Sequence, residues 1–145
     1  MAWPASGRAT PIPGEGAHVD LLNYPTIIND EGGLPHNVRI NRFTCKSYLV
    51  KLAASVEQRR WIVLDLQLKT LSWFVDNREL RISRKGQFAL ADIDKVVDPG
   101  TKNTPQPRAF MIGIPKRTYT FIAESLEMKE CWLQIFRCIL GQHPG

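Results

Sequence analysis

The segment Ser125 to Leu140, SLEMKECWLQIFRCIL, constrains the rest of the chain more than any other stretch. Met128, Cys131, Trp132, Ile135, Phe136 and Ile139 recur at i, i+3, i+4, i+7, i+8 and i+11, the spacing of one apolar stripe on an α-helix. Glu127, Lys129, Glu130, Gln134 and Arg137 fall on the opposite side. Ser125 is placed to cap the first turn, because a hydroxyl there accepts from a backbone N–H that has no partner within the helix. Glu127 meets the positive end of the helix dipole and Arg137 the negative end. Gly141 suits the left-handed residue just past a helix end. A helix with Trp on such a stripe needs an apolar surface to lie against.

The preceding segments read as strands that supply one. From Cys45, CKSYLVKLA alternates, with Tyr48 and Val50 on one face and Leu49 on the other. RRWIVLDL sets Trp61 and Val63 opposite Ile62 and Leu64, and LSWFVD is rich in aromatic and β-branched residues. A fourth strand lies around Gly86 to Leu90, and DKVVD is a short fifth. RAFMIGIP and RTYTFIA follow as two more around a tight Pro115-Lys116-Arg117 turn. AASVEQ, QLKT, Asn77-Arg78-Glu79 and the polar stretch from Asp98 to Pro107 connect them. About seven short strands and one terminal helix predict a mainly β domain, an antiparallel sheet curled into a sandwich or barrel with the helix over an open end.

Ahead of this unit, residues 1–16 are rich in Pro, Gly and Ala without periodicity and read as a disordered leader. Residues 17–42 read as an extended arm, interrupted by Pro25 and Pro35, with Leu21, Leu22, Ile27 and Ile28 as its candidate anchors. Residues 43–142 form the domain.

The formal net charge of +5 favours acidic partners: anionic lipid, nucleic acid or an acidic protein. Solubility alone also accounts for such an excess. Cys45, Cys131 and Cys138 make no even disulfide framework and fit a reducing, intracellular setting. No apolar run is long enough to span a bilayer, and the N-terminus lacks a signal-peptide pattern, so membrane contact is expected to be peripheral. The catalytic inventory is poor. His18, His36 and His143 are scattered away from any nucleophile motif, and Asp92 and Asp94 read as turn chemistry. Neither a Cys-x-x-Cys nor clustered histidines point to a metal, and no Gly-rich loop points to a nucleotide. The chain is therefore expected to be no enzyme and to use no metal or cofactor. Trp61, Trp73 and Trp132 occupy packing positions without a nucleic-acid motif beside them, so no nucleic-acid partner is expected.

The blocks KSYLVKL, QRRWIVLD, KTLSWFVD, KGQFAL and ESLEMKECWLQIF resemble successive blocks of a pleckstrin-homology domain, and Trp132 matches the Trp of its C-terminal helix. The resemblance covers roughly residues 36 to 142. Within the superfamily the chain is similar to the C-terminal domain of the pleckstrin-homology-like domain family B proteins, peripheral adaptors at the cell cortex. The resemblance implies a seven-stranded antiparallel β-sandwich or barrel capped by a C-terminal helix, without catalysis. It implies phosphoinositide headgroups or an anionic membrane surface as partner, and a cytoplasmic location at the membrane or cortex.

In the lipid-binding pattern of such domains, Lys51 matches the Lys that closes the first strand and Arg60 the Arg before the aromatic of the second. Lys85, before Gly86, matches a further phosphate-side Lys, and Trp73 stands where the pattern has Tyr. With Arg59, these make the candidate phosphoinositide or anion site: Lys51, Arg59, Arg60, Trp73 and Lys85, whose charges converge if the first four strands form a meander. The sequence departs from the pattern at Gln58, where a basic residue is expected, and at AASVE, which lacks Lys and Arg and carries Glu57. These departures leave a second reading open, a pleckstrin-homology scaffold with a degenerate lipid pocket whose surface binds a protein.

Overall fold

The computed structural model describes Leu21 and residues 37–141. The expected leader, residues 1–16, lies outside the described residues, as do Leu22, Ile27 and Ile28 of the expected arm.

The strands are β1 Arg39–Ile40, β2 Thr44–Ala53, β3 Val56–Asp65, β4 Thr70–Phe74, β5 Arg84–Ala89, β6 Lys95–Val97, β7 Ala109–Ile114 and β8 Arg117–Ile122, followed by helix α1, Leu126–Leu140. They form one antiparallel sheet in the order β5-β4-β3-β2-β8-β7-β6, with β1 paired to β2. The sheet has eight strands where about seven were expected. The additional strand is β1, in the stretch read as an arm, where Arg39 pairs Lys46 and Ile40 pairs Cys45. Leu21 is also tied in: its N–H donates to the Arg42 carbonyl at 2.9 Å and its side chain is fully buried.

The β2–β3 hairpin is longer than the sequence implied. Val56 to Gln58, expected as loop, are already paired with Ala53 to Lys51. The turn shrinks to Ala54-Ser55, with Ala54 in the left-handed region at φ 57°. The pleat then sorts the side chains. Cys45, Ser47, Leu49 and Lys51 of β2 share a face with Leu64, Ile62, Arg60 and Gln58 of β3, and Leu71 and Trp73 of β4 continue it. Phe121 and Tyr119 of β8 and Phe110 and Ile112 of β7 close the core from the other side.

Helix α1 plugs one end of this curled sheet. Ser125 caps it by accepting from the Met128 N–H at 3.0 Å, and Gly141 ends it at φ 70°. Met128, Cys131, Trp132, Ile135 and Phe136 are buried, as the stripe requires, and Leu133 joins them. Phe136 meets Phe110 at 6.3 Å between centroids, and the Trp132 indole N–H donates to the Ser47 hydroxyl at 2.9 Å. Burial, and then the neighbouring Cys131, push the Cys45 thiol well above its ordinary pKa, so Cys45 packs here as a neutral thiol.

Lys129 departs from the helical pattern. The spacing placed it on the polar side, yet its side chain is only 3% exposed. Its ammonium reaches Asp98 at 2.8 Å and the carbonyls of Pro107 at 2.8 Å and Gly100 at 3.2 Å. Three acceptors meet the three donors of a buried ammonium. The loop from Asp98 to Pro107 is thereby pinned to the helix. Burial pushes the Asp98 carboxyl up, but the hydrogen bonds from Lys129 and the Gly100 N–H, with the Lys129 charge, outweigh it and hold the carboxyl below its ordinary pKa.

Trp132→Ala is expected to cost about 3–5 kcal/mol, the range for a buried aromatic, and a parent-like urea midpoint would exclude the plug. A carboxyl whose folded pKa is depressed contributes stability above its unfolded pKa and loses it as pH falls through the folded value. The stability gap between the parent and Asp98→Asn should therefore be full at neutral pH. It should close as pH falls below 3.8 through the folded pKa, in urea titrations at several pH values.

Candidate anion-binding site

The antiparallel register puts the β2–β3, β4–β5 and β7–β8 turns at one end of the sheet, opposite the helix. Lys51 is the last inward residue but one of β2 and stands at this mouth, between Gln58 of β3 and Phe121 of β8. Its side chain is 7% exposed. The ammonium lies 5.5 Å from the ring centroid of Trp73 and 5.6 Å from that of Tyr119. Those two rings and Phe88 make an aromatic floor, with centroids 5.1 to 5.9 Å apart. Gly86 makes the floor possible. A Cβ at Gly86 would come within 2.4 Å of a Trp73 ring carbon, so only a residue without one lets the indole lie across β5.

Two further cations share the mouth. Arg60 pairs with buried Leu49 and so lies on the inward pleat, and its guanidinium donates to the Arg59 carbonyl at 3.1 Å. The Arg117 guanidinium lies 4.7 Å over Tyr119. Burial lowers the Lys51 pKa from its ordinary 10.5, and the charges of Arg117 and Arg60 lower it further. Like charges converging on a half-desolvated ammonium are unfavourable until an anion arrives between them. Such an arrangement is chemically suited to an anion that accepts several donors at once, such as a phosphate.

The structure thus brings Lys51 and Arg60 together, as the sequence pattern implied. Trp73 is 6% exposed and forms the floor under Lys51. Arg59 does not converge with them. Neighbouring residues of a strand point to opposite faces, and the Arg59 guanidinium stacks at 3.7 Å on Tyr48, on the outer side of the sheet. Lys85 is exposed on edge strand β5, at the irregularity between the Trp73–Gly86 and Phe74–Arg84 pairs. Arg117, which the sequence offers only as half of a basic turn pair with Lys116 and not as a site residue, also reaches the mouth. Its signal was the alternation RTYTF, which sets Arg117 on the face of Tyr119 and Phe121. Only the pairing of Lys51 with Phe121 brings that face beside Lys51.

On the outer face, Glu79 straps the β4–β5 loop down. It accepts from the Trp61 indole at 2.9 Å and pairs with Lys46 at 2.9 Å. Burial pushes the Glu79 carboxyl up, while the hydrogen bonds from Lys46 and Trp61 with the charges of Lys46 and Arg39 outweigh it and hold the carboxyl low. Among the described residues, no cluster of His, Cys, Asp and Glu is arranged to hold a metal ion.

The architecture is similar to that of solved pleckstrin-homology domains. The N-terminal PH domain of human ARAP2 matches with a TM-score of 0.53 and 24% identity, over 77% of this chain and 85% of that one. The PH domain of human oxysterol binding protein-related protein 11 matches with a TM-score of 0.56 and 17% identity, over 69% of this chain and 82% of that one. The Slm1 PH domain, solved in complex with phosphoserine, matches with a TM-score of 0.56 and 18% identity, over 66% of this chain and 93% of that one. No protein-family model matches the chain. The chain has the pleckstrin-homology fold, an antiparallel β-sheet with one C-terminal helix.

Gly86→Ala is expected to displace the Trp73 indole and to cost about 1–3 kcal/mol, the usual overpacking range. The change should appear in the near-ultraviolet circular dichroism of the aromatic floor, and an unchanged spectrum with parent stability would refute the close contact.

Proposed function

We propose that this chain is a non-catalytic pleckstrin-homology module that recruits a larger adaptor protein to phosphoinositide-containing membrane at the cell cortex, with modest headgroup selectivity. The observation that carries this reading is the convergence of Lys51, Arg60 and Arg117 at the open mouth, with burial and mutual repulsion depressing the Lys51 pKa. The complex of the Slm1 domain with phosphoserine supports an anionic phosphate ligand for this fold. Selectivity is modest because Gln58 occupies the cross-strand place beside Lys51, and Glu57 puts a negative charge on the same hairpin. The β2–β3 turn itself, Ala54-Ser55, adds no cation. Cortical adaptors with a similar C-terminal domain, the family B proteins, give the cellular setting: cytoplasmic and peripheral to the membrane.

A second reading, a protein-binding scaffold, is favoured by a groove of about 180 Å³ on the outer face. Tyr48, Arg59, Arg108, Glu57 and Glu124 line it. Mixed charges beside an aromatic ring suit a peptide better than a polyphosphate.

Calorimetry with soluble inositol phosphates separates the two. Exposed charges are screened over about 8 Å at physiological ionic strength, so headgroup binding should weaken steeply with salt. Arg60→Glu should abolish it. Gln58→Lys should strengthen it about fivefold, since each added basic residue near an anionic surface is worth about 1 kcal/mol. Silence of both the parent and Gln58→Lys at low salt would reject the headgroup reading in favour of the scaffold. Binding an anion raises the Lys51 pKa again. Affinity should therefore fall as pH rises through the depressed Lys51 pKa, below the 10.5 of an ordinary lysine, and a flat profile up to that value would remove Lys51 from the site.

A further inference from the structure

The exposed large apolar side chains are distributed unevenly. Val56, Val75, Leu80 and Ile82 lie at the mouth end, on or beside the β2–β3 and β4–β5 turns. Leu68 and Leu126 lie at the other end. Ile82 is 94% exposed, so folding leaves nearly all of its apolar surface in water.

Its exposure is built in. The Val75 N–H donates to the Ser83 carbonyl at 3.0 Å and closes the loop base. A single 3-10 turn over Arg81–Ser83 follows, and both the N–H and the hydroxyl of Ser83 donate to the Leu80 carbonyl, at 2.8 and 2.9 Å. On the other limb the Asn77 N–H donates to the Tyr48 hydroxyl at 3.0 Å, and Glu79 is held by Trp61 and Lys46. A loop anchored at both limbs holds Ile82 outward. Arg81, Arg84 and Lys85 flank it, all exposed, in the run RISRK. An apolar tip within a basic collar, on the rim of a mouth lined by Lys51, Arg60 and Arg117, is complementary to one surface: anionic headgroups above hydrocarbon.

We infer that the β4–β5 loop inserts the side chains of Ile82 and Leu80 into an anionic lipid bilayer while the mouth takes a headgroup. The inference rests on the membrane reading above, and adds to it an attachment that salt does not screen. The apolar tip supplies area removed from water, and the collar supplies attraction to the surface. The β2–β3 turn contributes Val56, 57% exposed, to the same rim.

The test uses the whole chain with Ile82→Trp on vesicles of phosphatidylcholine, phosphatidylserine and phosphatidylinositol bisphosphate carrying brominated acyl chains, with the parent chain as blank. The new Trp emission should shift to the blue and be quenched by bromine. Ile82→Ser should lower vesicle partition about tenfold, the worth of burying roughly two methylene equivalents. That loss should persist in high salt, while calorimetric binding of soluble inositol phosphate stays at the parent level. Vesicle-bound Ile82→Trp that is not quenched overturns the insertion, as does parent-like partition of Ile82→Ser or a parent that binds no vesicle. Failure of the headgroup reading is seen separately, as silence in calorimetry; bromine quenching on phosphatidylserine vesicles would then still support insertion.

Discussion

The structure depends on the contact between Trp132 and the interior of the curled sheet. An indole is the largest apolar body a helix such as α1 can carry, and its N–H must find an acceptor when buried. Ser47 supplies that acceptor from the inward pleat of β2, 2.9 Å away. The pairing fixes the rotation of α1 about its axis, and with it which residues can be covered. Phe136 reaches Phe110, Cys131 reaches Cys45, and Lys129 turns toward the Asp98 loop. With one end filled this way, the other end, where the hairpin turns gather, is left as a mouth.

What lies at that mouth follows from the pleat. Ser47 apart, inward positions of β2 deep in the sheet are apolar. At the rim the same alternation delivers Lys51 and Arg60, and a lysine stem can run along aromatic faces while its head stays near water. Trp73 and Tyr119 provide those faces. The arrangement is electrostatically unfavourable when empty, since burial and two neighbouring guanidinium groups all oppose the Lys51 charge. Burial and like charge around one ammonium perturb it in the way found at many functional sites.

The helix end also buries a lysine, for a different reason. Lys129 is buried but fully partnered, and its role is to fasten a loop. Two lysines of similar low exposure, 7% for Lys51 and 3% for Lys129, thus do opposite things. One meets a carboxylate and two carbonyls; the other meets rings and like charges. Burial alone does not distinguish the two; their partners do.

Much of this was legible in the sequence. The helix stripe, its Ser125 cap and its Gly141 end follow from local periodicity and backbone preference, and the strands from alternation, because neighbours a few residues apart decide them. Lys51, Arg60 and Trp73 were singled out by the resemblance to the lipid-binding pattern of pleckstrin-homology domains. Three things were decided only by tertiary structure. Arg117 reaches the mouth because β2 pairs with β8, a contact between strands far apart in the chain. Arg59 leaves the site because the β2–β3 register turns Arg60 inward, and consecutive strand residues cannot share a face. Lys129 is buried because a distant loop brings Asp98 and two carbonyls to it, and a helical repeat carries no information about acceptors supplied from elsewhere in the fold.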